Sequence, residues 1–74
     1  MEKKVLEIIN QIRAAKSMTP LTELHESDGL REVIGFTSFD LAELTVKIED
    51  EFDVDVFEDG LVRTVGEILA KLEK

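Results

Sequence analysis

The sequence predicts an all-α fold: a small bundle of three main helices, a short element before the last, and a long loop between the first two. Two observations predict it. Three stretches carry apolar residues at the spacing of one helical face, whereas sustained alternation of the strand kind is absent. The 74 residues contain no cysteine, so neither a disulfide framework nor a thiolate metal site is available and the fold rests on aliphatic packing. With no repeat, low-complexity tract or composition break, residues 1–74 form one domain.

The first helix is expected over residues 2–16. Val5, Ile8, Ile9 and Ile12 form its buried face, and Lys3, Lys4, Glu7, Gln11 and Arg13 take the solvent side. Ser17-Met18-Thr19-Pro20 ends it, because proline disfavours the helical conformation in the residue before it. Residues 17–37 form a connection longer than most compact domains use. Leu21, Leu24, Leu30, Val33 and Ile34 are apolar enough to lie across the core, and residues 30–34 can make a turn of helix. His25, the single histidine, sits among Glu23, Glu26 and Asp28 and reads as a surface residue.

The second helix runs from about Ser38 to Phe52. Leu41, Leu44, Ile48 and Phe52 form its core stripe, and Phe39, Ala42 and Val46 fall nearly opposite, flanked by Glu43, Glu49 and Asp50. Two arrangements fit this second group: a docking strip ringed by acids, or Phe39 folded back beneath the loop with the rest ordinarily solvated. Asp53–Phe57 then leaves the helix, and Glu58-Asp59-Gly60-Leu61 reads as a turn or a very short helix. A calcium loop does not fit: started at Asp55, it puts Phe57 at a ligand position and Gly66 where the closing glutamate belongs. The last helix starts at Thr64, where Thr64-Val65-Gly66-Glu67 matches a capping box; Val65, Ile68, Leu69 and Leu72 are its apolar face.

Charge is unevenly placed. The chain carries 17 acids against nine bases, a net −8, and nine of the acids lie between Ser38 and Gly60 with Lys47 as the only base there. That segment holds the whole excess. It repels nucleic acid and anionic membranes and favours a basic protein partner. Asn10, Gln11 and Arg13 interrupt the apolar residues that follow the charged start before the core of a secretion signal could form, and no apolar run reaches membrane-spanning length. A soluble, cytoplasmic protein is expected.

Catalysis by these side chains is unpromising. With no cysteine or tyrosine and one isolated histidine, no nucleophile–base pair can be assembled, and His/Cys metal spacing is absent. If such a chain takes part in chemistry, it does so by carrying a group rather than transforming one. Ser38 stands at the junction of an irregular segment with an acidic helix, where a serine usually caps the helix. Thr37 can cap it too.

Ile34-Gly35-Phe36-Thr37-Ser38-Phe39, followed by Asp40-Leu41-Ala42-Glu43-Leu44 and Ile48-Glu49-Asp50-Glu51-Phe52, resembles the acyl carrier protein family, whose motif is Leu-Gly-x-Asp-Ser-Leu and then an acidic helix. The similarity covers nearly the whole chain. It implies a four-helix bundle with a short third helix, and a monomer. It also implies 4′-phosphopantetheine attached covalently to Ser38 by a holo-acyl-carrier-protein synthase, a phosphopantetheinyl transferase. Acyl groups would then ride as thioesters on that arm, in fatty-acid or specialised pathways. Partners with basic docking patches would read Thr37, Phe39, Asp40, Ala42, Glu43, Val46, Glu49 and Asp50. A phosphodiester at Ser38 also suits a helix N-terminus, and Gly35 eases the approach of a modifying enzyme. Thr37 in place of the family's aspartate, and Phe39 in place of its leucine, imply either slow loading by a housekeeping holo-synthase or a dedicated one, and point to a specialised carrier. The alternatives are an aminoacyl or peptidyl carrier, and an unmodified acidic interaction module on the same fold.

Overall fold

A computed structural model describes residues 2–58, 60 and 62–73. Among the described residues there are three helices, α1 (Glu2–Ala15), α2 (Ser38–Phe52) and α3 (Val65–Leu72), and no strand. The all-α expectation holds. The short helix expected between α2 and α3 does not form in the described residues; turns stand in its place. The Asp55 carbonyl accepts the Glu58 N–H at 3.2 Å and the Phe57 carbonyl accepts that of Gly60 at 3.1 Å. The Asp55 carboxylate also accepts the Phe57 N–H at 3.0 Å, a local bond that favours a turn over helix continuation. Asp59 and Leu61, which belong to that expected element, lie outside the described residues.

The core is aliphatic, as the composition requires. Val5, Ile8, Ile9 and Ile12 of α1 meet Leu41, Leu44 and Ile48 of α2 and Val65, Ile68, Leu69 and Leu72 of α3, all buried. Phe52 packs at the rim. The long loop fills the remaining face with Leu24, Leu30, Ile34 and Phe36. Val33, expected inside, is 55% exposed, and Phe36 takes the buried place instead.

Each helix end has a physical cause. α1 stops in a left-handed C-terminal cap with Ser17 at φ 62°. The Met18 N–H bonds the Arg13 carbonyl at 2.9 Å and the Ser17 N–H bonds that of Ala14 at 3.0 Å, so the orphan carbonyls are closed before Pro20 is reached. α2 ends at Asp53, also left-handed at φ 60°, whose N–H bonds Glu49 O. At α3, Thr64 Oγ1 accepts the Glu67 N–H at 3.3 Å. Glu67, however, reaches the N–H of Arg63 rather than Thr64, so the capping box expected here is only half closed.

The long loop completes that helix start. The Asp28 carbonyl accepts the Val65 N–H at 3.0 Å and the Glu26 carbonyl accepts the Gly66 N–H at 2.9 Å. A single antiparallel bridge joins Gly29 to Thr64, with the Leu30 N–H on the Arg63 carbonyl at 2.8 Å. Loop backbone thus satisfies first-turn donors of α3. It can come this close because residue 66 is glycine: a Cβ there would lie 2.9 Å from the Glu26 carbonyl oxygen.

Candidate functional site

The segment leading into α2 is fixed from behind by the end of α1. Arg13 is buried at 8% exposure, not on the solvent side as its helical position suggests. Its guanidinium donates to the Ile34 carbonyl and, at 3.0 and 2.7 Å, to that of Thr19. One turn on, the Lys16 ammonium donates to the Gly35 carbonyl at 3.3 Å, pairs with the Asp40 carboxylate, and lies 5.9 Å from the Phe36 ring centre. Phe36 itself is buried, its N–H on the Leu30 carbonyl at 2.9 Å. Gly35 has φ +86°, and a Cβ there would meet the Met18 methyl at 2.8 Å. Backbone conformation and packing therefore explain this glycine without reference to a visiting enzyme.

Thr37, with φ −87° and ψ 175°, is the N-cap of α2. Its Oγ1 accepts the Asp40 N–H at 3.3 Å, while Asp40 Oδ2 accepts the Thr37 N–H at 2.9 Å and its hydroxyl at 3.0 Å. This capping box, with Asp40 as its acidic partner, closes in both directions. Asp40 was expected among the docking acids, but it is 6% exposed and engaged by Lys16 and Thr37. The Lys16 ammonium holds its carboxyl below the usual value, helped by the Thr37 N–H and opposed by burial.

With the cap supplied by Thr37, Ser38 is the first residue of α2 and is exposed. Its Oγ accepts a hydrogen bond from the Arg31 guanidinium at 3.2 Å. The N–H groups of Ser38 and Phe39 belong to the first turn and have no intrahelical acceptor. Arg31 also lines an open cleft of about 240 Å³ with Glu32, Leu41, Val62 and Arg63. A hydroxyl so placed is accessible, held above the core, and next to groups that favour added negative charge.

Further along α2, Phe39 is 80% and Val46 63% exposed, and Ala42 between them is exposed as well. The arrangement with Phe39 folded into the core is therefore excluded. Glu49 and Asp50 are exposed beside this strip, and Glu43 is half-buried with its carboxylate 3.9 Å from Lys47. His25 is exposed, its ring 3.8 Å from Glu23. Among the described residues no three acidic, histidine or cysteine side chains gather into a metal-holding group, and no helix is long and apolar enough to cross a membrane.

The spacing of residues gave no sign of Arg13, Lys16 and Arg31. The basic residues at the end of α1 look like ordinary partners of a helix C-terminus, and no periodicity shows which carbonyls they reach across the loop.

The family model of the phosphopantetheine attachment site matches residues 4–72. The chain is 35% identical over 69 residues to an acyl carrier protein of Saccharopolyspora erythraea, an alignment covering 90% of this chain and 73% of that protein. No solved structure matches it significantly.

Proposed function

The chain belongs to the phosphopantetheine-attachment family, that of the acyl carrier proteins, and on that premise we propose that Ser38 bears the arm and that α2 presents its acyl cargo. Proteins of this family are carriers rather than enzymes. When attached, the arm supplies a terminal thiol on which acyl groups are held as thioesters. The observation that carries the assignment to Ser38 is its exposed hydroxyl at the first position of α2, touched by Arg31 and not used as the cap, which is left to Thr37 and Asp40. The residues fit the group: first-turn N–H groups and Arg31 face the place where its phosphate would lie. Loading joins Ser38 Oγ to the phosphorus of the pantetheine arm as the pyrophosphate bond of coenzyme A breaks; adenosine 3′,5′-bisphosphate leaves, and the hydroxyl proton is released.

Phe39, Ala42 and Val46, with Glu43, Glu49, Asp50 and the exposed cap residue Thr37, make the surface that a holo-synthase and acyl-handling enzymes read through basic patches. Contacts of that kind give fast, weak, salt-sensitive encounters. The working unit is read as a cytoplasmic monomer in fatty-acid or specialised acyl metabolism; an aminoacyl cargo is the second candidate.

The test is mass spectrometry after incubation with coenzyme A and holo-synthases of broad and narrow specificity. Wild type gains one phosphopantetheine mass and Ser38→Ala gains none, and the initial loading rate falls severalfold between about 50 and 500 mM salt as charges beyond a Debye length are screened. A bare wild-type protein with every synthase sinks the proposal in favour of an unmodified acidic interaction module. Loading only by a narrow-specificity synthase supports the specialised carrier implied by Thr37 and Phe39.

A further inference from the structure

We propose that Arg31 holds the phosphodiester of the arm once it is attached to Ser38. The inference rests on Ser38 being the attachment site, and deepens that reading. The guanidinium already donates to Ser38 Oγ at 3.2 Å. That oxygen becomes the bridging atom of the phosphodiester, so the new non-bridging oxygens form within reach of the same donors. A guanidinium has several N–H groups in a planar fork and can bond the bridging and a non-bridging oxygen together. The first-turn N–H groups of Ser38 and Phe39 point along the helix axis and favour any anion placed there, without the fork that selects a phosphodiester.

Charge makes the contact consequential. Between Ser38 and Gly60 nine acids face one base, so an added phosphodiester enters a field that repels it. Arg31 lies outside that segment in sequence yet beside its first residue in space. Arg31 also lines the cleft that holds Leu41, Val62 and Arg63. One side chain therefore links the attachment oxygen to a cleft lined also by Leu41, Val62, Arg63 and the acidic Glu32. Arg31 acts as a positioning residue: it fixes where the arm starts, not what it reacts with.

The experiment uses full-length wild type, R31Q, R31K and R63Q, each loaded with coenzyme A and checked by mass. The phosphorus NMR resonance is then recorded on native protein and in 8 M urea (about the concentration that unfolds a domain this size). Native wild type shows a resonance displaced from its unfolded position, R31Q collapses most of that displacement, and R31K keeps part of it. R63Q, which removes a charge from the same cleft without touching Ser38, stays at the wild-type position. Equal resonances in loaded wild type and R31Q overturn the proposal, as does an R63Q shift matching that of R31Q, which would mean a general field and no contact. Failure of wild type to load overturns the reading of Ser38 itself and takes this one with it, so the two failures are distinguished by the mass alone. Should R31Q not fold, the R31K and R63Q comparison decides.

Discussion

At the scale of single residues, the decisive feature is that adjacent hydroxyls have separate duties. Thr37 caps α2 and Ser38 does not. Thr37→Ala should therefore cost about 1 kcal/mol, the usual loss for a removed cap, while Ser38→Ala should stay within about 0.5 kcal/mol, as exposed substitutions do. Urea denaturation of the two variants measures the difference, and equal losses would return the capping role to Ser38. Asp40 supports the same cap from a buried position, and its folded-state pKa lies below its unfolded one. The unfolded chain then binds the proton more readily, so this carboxylate stabilises the fold above its unfolded pKa, and the gain is lost as pH falls toward the folded value. Asp40→Asn should lose about 2 kcal/mol at neutral pH, in the range of hydrogen bonds to charged groups. Its stability should also fall less steeply than that of wild type between about pH 5 and 3; parallel acid limbs would show that Asp40 is not the group responsible. Local pattern put the start of α2 at Ser38, where the structure has it. It misplaced Asp40 and Arg13 because their partners, Lys16 for one and the Ile34 and Thr19 carbonyls for the other, lie across the loop, where helical position alone carries no information.

At the scale of elements, the three helices and their buried faces were readable because 3.6-residue periodicity and buried area coincide. Val5, Ile8, Ile9 and Ile12 needed nothing but their spacing. Two features were not readable, for one reason: backbone partners from distant segments. The Ser-or-Thr plus acid pattern occurs at both Thr37 and Thr64, but only at Thr37 does the acid close the box; at α3 Glu67 takes the Arg63 N–H, and loop carbonyls take those of Val65 and Gly66. Gly66, which reads as a minor cost in a first turn, is the residue that lets Glu26 approach. Gly66→Ala weighs two effects of opposite sign. Helix propensity favours alanine by about 1 kcal/mol at most, and less in a first turn. Against it stands a Cβ 2.9 Å from a backbone oxygen, and forcing such a contact costs about 1–3 kcal/mol. The variant should be less stable by about 1 kcal/mol or more in urea titration. It should also show faster amide exchange at Val65 and at residue 66, whose N–H groups bond the loop. A stabilised variant would mean that the loop can retreat at no cost, and the contact would then have no part in fixing the loop.

At the scale of the whole molecule, the unequal charge distribution works against the fold that the core supports. Glu49, Asp50, Glu51, Asp53, Asp55 and Glu58 are all exposed within one short stretch, whereas the bases lie mainly on α1 and beyond. Such self-repulsion destabilises a compact state, and it was readable from composition because charge, unlike contact, adds along the chain. Asp40 is the shielded member of the Lys16–Asp40 pair, which leaves that pair less open to screening than the exposed acids. Added sodium chloride should therefore relieve more repulsion than it weakens attraction. Raising it from about 0.01 to 1 M shortens the Debye length from about 30 to 3 Å. If the relieved repulsion is about 1 kcal/mol, Tm rises by about 4–8 °C for a domain of this size. Salt also strengthens hydrophobic burial in general, so wild type needs a comparison. Asp53→Asn with Glu58→Gln removes two of the exposed charges, and asparagine suits the left-handed conformation at residue 53. The double variant should melt higher than wild type at low salt and rise less as salt is added, with the two converging near 1 M. Parallel salt curves would mean that the acids do not repel one another enough to matter, and that the central segment is charged for its partners at no expense to the fold.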